Sequence, residues 1–171
     1  MKAIGSLNKE KVSGIISGVA FLVDEAIFLF EQAHGRSDWQ GRTGGYFCLA
    51  NAETGLPLLV LPLGQVPLEK AEKYLRLCQE KAKRLAEHLE HLSSWESRNP
   101  DKEQWGGAVR VGNLIFSFSG LPEMGDEAVM LAVAGSHYVG TKDVSETLST
   151  IASRSQNELW DQLQKFLSRH V

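Results

Sequence analysis

His88 and His91 stand three residues apart, with Glu87 adjacent, in a stretch whose apolar residues recur at helical spacing. Positions three apart share a helix face, so two such imidazoles could hold one divalent cation. A protein site needs a third donor. No HExxH or CxxC spacing supplies one, and the pair reads as a solvated helix face rather than a metal centre. Ser117 and Ser119 lack the GxSxG elbow that exposes a nucleophile, and no base lies beside them. Asp126 and Glu127 precede an apolar run, where carboxylates offset the positive end of a helix, so a capping or interface role is expected rather than an acid/base pair.

The most informative segment is WGGAVRVGNLIFSFSGLPEMGDEAVMLAVA, residues 105–134. A glycine-rich turn that opens a helix can cradle phosphate with its free amides. Here Glu123, Asp126 and Glu127 occupy the place of the anion, no lysine lies between positions 117 and 138, and the GxGxxG and GxxxxGK[ST] spacings are absent. The segment therefore predicts architecture rather than nucleotide binding. No constellation in the chain amounts to a catalytic motif, which leans against an enzyme.

Composition narrows the remaining classes. With 171 residues, 43% hydrophobic and 23% charged, the chain is sized for one domain spanning 1–171 that buries roughly 70% of its unfolded surface. A net charge of -3 gives no field that would collect nucleic acid. Cys48 and Cys78 are too few for a disulfide framework and are expected as buried free thiols. Charges interrupt every apolar run before 18 residues and no secretory pattern opens the sequence, so a cytoplasmic protein without a membrane role is expected.

The elements that must position these residues follow from periodicity. Residues 8–33 carry Val12, Ile15, Ile16, Val19, Leu22, Val23, Ala26, Ile27 and Phe30 at steps of three and four, predicting an amphipathic helix closed by Gly35. Residues 46–52 and 56–63 flank Glu53-Thr54-Gly55 as a hairpin, with Pro57 and Pro62 placing the second arm at an edge. A stripe from Leu68 to Leu92 behind Pro67 predicts one long helix, with Lys81 and Arg84 on its solvent side. A polar turn-forming run over 93–104 leads to a second hairpin around Gly112-Asn113. A further helix follows, and Asp143 with Glu146 suggests a capping box for a last helix interrupted near 153–156. The aromatic residues Trp39, Tyr46, Phe47, Trp95, Trp105, Phe116 and Phe118 suit core and interface packing, or the walls of a planar-ligand pocket.

NAETG after a strand, EKAEKYLRLCQEKAKRLAEH on a helix, then GGAVRV, a hairpin, SGLPE and DEAVMLAVA resemble the HbpS/GlcG-like proteins, often labelled haem-degrading. The resemblance covers residues 46–135. It implies a profilin-like α+β fold, an antiparallel sheet of about five strands with helices packed on it, in symmetric oligomers. The N-terminal helix and residues 141–171 would then be helical extensions. It also implies haem, another tetrapyrrole or a different small molecule as ligand. The family offers no catalytic motif that maps onto this chain.

Against that implied ligand, His137 beside Tyr138 is the histidine nearest the family segment, and imidazole is a common haem ligand. His34 and Cys48 would meet if the first helix packs beside the first strand. Two expectations follow: a small-molecule binding protein with His137, Tyr138, His34 and Cys48 as ligand-binding residues, or a structural or regulatory homo-oligomeric interaction protein.

Overall fold

The computed structural model describes residues 9–34, 42–138 and 142–170. Its order begins with α1 (Lys9–His34), then the hairpin β1 (Thr43–Asn51) and β2 (Pro57–Gln65). Asn51 sets that hairpin's turn. Its side-chain oxygen accepts hydrogen bonds from the Glu53 and Thr54 amides at 3.0 and 2.9 Å, and Gly55 closes the turn at φ 68°. Next comes α2 (Leu68–Glu87), then two short 3-10 turns at Ser94–Ser97 and Pro100–Lys102. The second hairpin, β3 (Ala108–Val111) and β4 (Leu114–Ser119), is followed by α3 (Glu123–His137), α4 (Lys142–Ser155) and α5 (Glu158–His170).

The four strands form one antiparallel sheet in the order β2-β1-β4-β3. The strand that carries Pro57 and Pro62 is an edge, where a missing amide donor does least harm. Strand alternation sorts the core into two layers. Phe47, Leu49, Val109, Val111, Leu114, Phe116 and Phe118 pack beneath α1, α3 and α5. Cys48, Ala50, Ala108 and Ile115 pack beneath Cys78, Ala82 and Leu85 of α2. Because both faces are covered, every residue of β4 is buried.

The described residues hold four strands rather than about five. Leu92 and Ser93 run beside β3, where Arg110 donates its amide to the Leu92 carbonyl at 2.8 Å and Ser93 makes a single bridge to Val109. The pairing stops there because Ser93 caps the following 3-10 turn and Glu96 reaches back to the Leu92 and Ser93 amides.

Two further differences concern α2. It ends at Glu87, not near Leu92, because the Arg110 side chain draws off the Leu85 and His88 carbonyls and the Ser93 cap redirects the chain. Lys81 and Arg84, expected on its solvent side, are buried. Arg84 is enclosed by acceptors: the Glu80 carboxylate at 2.6 Å and the Ser94, Ser97 and Trp105 carbonyls at 2.9, 3.0 and 2.7 Å.

The last helical segment breaks where its apolar pattern is interrupted, at Gln156 (φ 54°) and Asn157. Asp143 lies inside the first turn of α4 rather than ahead of it. This segment is built into the core. Leu159, Trp160 and Leu163 of α5 pack against α3, and Glu127 accepts hydrogen bonds from Ser93, Ser155 and Asn157. Burial raises the Glu127 pKa while those donors pull it down. Leu163→Ala should therefore destabilise the fold by about 2–5 kcal/mol, as for any fully enclosed leucine. Urea denaturation checks this, and an unchanged midpoint would mean that α5 is only an appendage.

Candidate functional site

The residues that look most like a built site come from three elements. Lys81 lies on α2 between Cys78 and Leu85, on the face turned toward the sheet. Its Nζ reaches the Asp126 carboxylate on α3 at 2.8 Å and donates to the Phe118 carbonyl at the end of β4 at 2.9 Å. The second oxygen of Asp126 accepts the Leu121 amide at 2.9 Å. Both side chains are almost sealed, at 1% and 3% exposure. Burial pushes the Asp126 carboxyl up to about 6, opposed by the Lys81 ammonium and the Leu121 amide. Gly107 makes the approach possible. At φ +111°, any Cβ there would stand 2.6 Å from Asp126 Cβ and 2.9 Å from Lys81 Nζ.

Above this pair opens a groove of about 480 Å³. Tyr74, Leu77, Trp105 and Leu121 supply apolar walls, and Arg42, Lys70 and Lys73 supply cations. The acidic residue on its rim, Glu123, is engaged by Arg98 at 2.8 Å and by the Gly106 amide at 3.1 Å. Arg98 also lies over the Trp95 and Trp105 rings at 5.1 and 5.7 Å, fixing one wall. Lys73 is shared with Glu103 at 2.8 Å. The volume lies within the range of small-molecule sites, and the sign of its charge suits an anion with an apolar body. No nucleophile and base face each other there.

The lysine absent from residues 117–138 is thus delivered from 45 residues upstream. Its placement had a trace in the sequence: positions 78, 81, 82 and 85 fall on one helical face, so Lys81 shares the side of Cys78, Ala82 and Leu85.

The residues singled out beforehand do not converge. His137 ends α3 and Tyr138 follows it, with ring centroids 4.7 Å apart and edge to face, and His137 also lies 6.0 Å from Phe116. Burial raises the Tyr138 pKa. Cys48 packs in the other layer, on the opposite side of the sheet, with Cys78 as its neighbour. The hydrogen bond between these thiols lowers the pKa of Cys48 and raises that of Cys78. The His34 side chain and Trp39 lie outside the described residues.

His137 borders a depression of about 250 Å³ with Gly14, Ile15, Gly18, Val133 and Ser136. That is below the roughly 300–1,000 Å³ of ordinary ligand pockets, and this surrounding does not fit a haem. Phe47, Phe116 and Phe118 are core residues, while Trp105 is the aromatic side chain from the expected set that borders the larger groove.

Two measurements follow from the buried pair. Asp126→Asn leaves an uncompensated ammonium and should cost about 3–5 kcal/mol, whereas Lys81→Met combined with Asp126→Leu should recover most of it. Asp126 rises from the ordinary 3.8 to about 6, so the native state holds a proton that the unfolded chain has released. Its contribution to stability is therefore full below the lower value and is lost as pH rises through the upper one. Urea denaturation across that interval should show a steeper decline in wild type than in the double variant, which keeps only the contribution of Glu127.

Comparisons of the chain with protein families, with curated proteins and with solved structures each find no match.

Proposed function

We propose that the chain is a self-associating interaction protein of profilin-like architecture. The observation that carries this reading is the outer face of α1. Phe21 and Phe28, seven residues apart on that face, are 55% and 57% exposed. The span Val12–Phe30 is apolar and long enough to cross a membrane by composition, yet only 28% of it is buried. Exposed aromatic residues on a helix whose other face is already packed mark an association surface.

A second copy of the chain is the occupant that we assign to this face. Asp24 and Glu25 lie in the second half of α1, and Lys9 and Glu10 in its first turn. Antiparallel pairing of two α1 helices sets these ends against each other in an isologous contact, with Phe21 across from Gly14, where a Cβ would meet nothing within 4 Å. The Cys78, Ala82 and Leu85 face of α2 takes no part, because the sheet covers it.

Light scattering after size-exclusion chromatography should find a dimer or higher oligomer, and Phe21→Ser with Phe28→Ser should yield a folded monomer. A wild type that is monomeric at micromolar concentration and floats with liposomes would replace the self-association reading with a membrane-bound one.

The groove above Lys81 and Asp126 favours a second reading, a small-molecule binding protein for an anionic, partly apolar ligand. Lys70→Glu should abolish binding of such a ligand, followed by Trp105 fluorescence, with no change in oligomeric state. If α1 variants and groove variants fail together, the two readings describe one surface.

A further inference from the structure

His88 and His91 were set aside for want of a third donor, and the early end of α2 supplies one. On a continuing helix, residues 88 and 90 would point about 200° apart. Because the helix stops at Glu87, the turn that follows gathers His88, Glu90 and His91, and one ligand atom from each lies within 4.8 Å of the others. Glu90 Oε1 is 3.6 Å from His91 Nε2 and 3.9 Å from His88 Nδ1. The two rings stack at 4.7 Å with 19° between their planes, so the exposed His88 ring must turn for both in-plane lone pairs to meet one ion.

These separations are too long for hydrogen bonds. Bonds of about 2.0–2.2 Å in a tetrahedron place donor atoms about 3.3–3.6 Å apart; the Glu90–His91 separation meets that range, and the 3.9 Å to His88 reaches it with a small side-chain turn. The turn is held at both ends. Arg110 binds the His88 carbonyl, the His91 amide donates to the same carbonyl at 3.1 Å, and Glu96 takes the Leu92 amide at 2.7 Å. Nδ1 of His91 is buried and has no hydrogen-bond partner among the described residues. The ring is held by its stack on His88 rather than by a hydrogen bond at Nδ1.

We propose that His88, Glu90 and His91 form a site for one divalent transition-metal ion at the C-terminal end of α2. Two imidazoles and one carboxylate suit zinc, nickel or cobalt rather than magnesium or calcium, which take oxygen ligands. Glu90 and His88 are solvent-accessible, at 72% and 43%, so a fourth position is open to water. The Arg110 guanidinium, which feels the charge of Glu90, opposes the ion, but its Nη2 is turned to the Leu85 and His88 carbonyls. The site is independent of α1 and of the groove.

Calorimetric titration of the full chain with zinc chloride should show about one equivalent bound with Kd below about 10 µM. Glu90→Gln and His88→Asn, both at exposed positions that leave the core untouched, should each weaken binding at least ten-fold, the scale expected for disturbing a metal site. Glu87→Gln, the neighbour suggested by sequence adjacency, should leave it unchanged. In the cobalt form, visible absorption should show nitrogen and oxygen ligation without thiolate charge-transfer bands. Undiminished zinc binding in the His88→Asn, Glu90→Gln double variant would overturn the proposal, as would wild-type binding only at hundreds of micromolar or thiolate bands in the cobalt spectrum.

Discussion

A buried ammonium and a buried carboxylate, 2.8 Å apart, join the two sides of this molecule. Lys81 belongs to the helix beneath one face of the sheet and Asp126 to a helix on the other, and they meet at the end of β4. Desolvating two charges is expensive, and such a pair is rarely a net source of stability. It does impose a condition: neither charge can be buried without the other, so α2, β4 and α3 must be placed together. The pull of burial on Asp126, stronger than the attraction of its partner, is the trace of that cost.

The same device recurs where the chain has no strand to hold it. Between α2 and β3, the backbone of residues 88–107 is tied down by charged side chains rather than by a sheet ladder. Arg84 collects the carbonyls of Ser94, Ser97 and Trp105, and Arg110 those of Leu85 and His88. Buried carbonyls need partners, and charged donors satisfy several at once. Glu127 does the converse for α4 and α5 by accepting from Ser93, Ser155 and Asn157. The shape of the groove and the turn bearing His88 and His91 both depend on these ties.

The elements differ in how much of their apolar surface the fold uses. The Cys78, Ala82 and Leu85 part of the α2 stripe is covered by the sheet, and α3 is enclosed from Gly125 to Ala134. Among the described residues, only α1 keeps aromatic side chains largely in solvent after its inner face is packed. In a chain this size such a residue is informative: each phenylalanine, a little over half exposed, keeps roughly half of the 1.5–3 kcal/mol of full burial available to an association. That asymmetry favours α1 over the sheet as the surface with a partner.

Local order was legible in the residues, and proximity was not. The apolar period of α1, the prolines that put β2 at an edge, the hairpin at Gly112 and the break near Gln156 each depend on neighbours within about ten positions, and all appear where the pattern puts them. The helix end at Glu87 was invisible because a guanidinium on β3 brings it about. The groove was invisible because its cations lie on α2 and, at Arg42, just ahead of β1, while its walls include the loop before α3. A sequence by itself states propensity and period, which are properties of short windows. Which lysine meets which aspartate across 45 positions is decided only when the two layers close on the sheet, since charge pairing acts through space and leaves no local pattern.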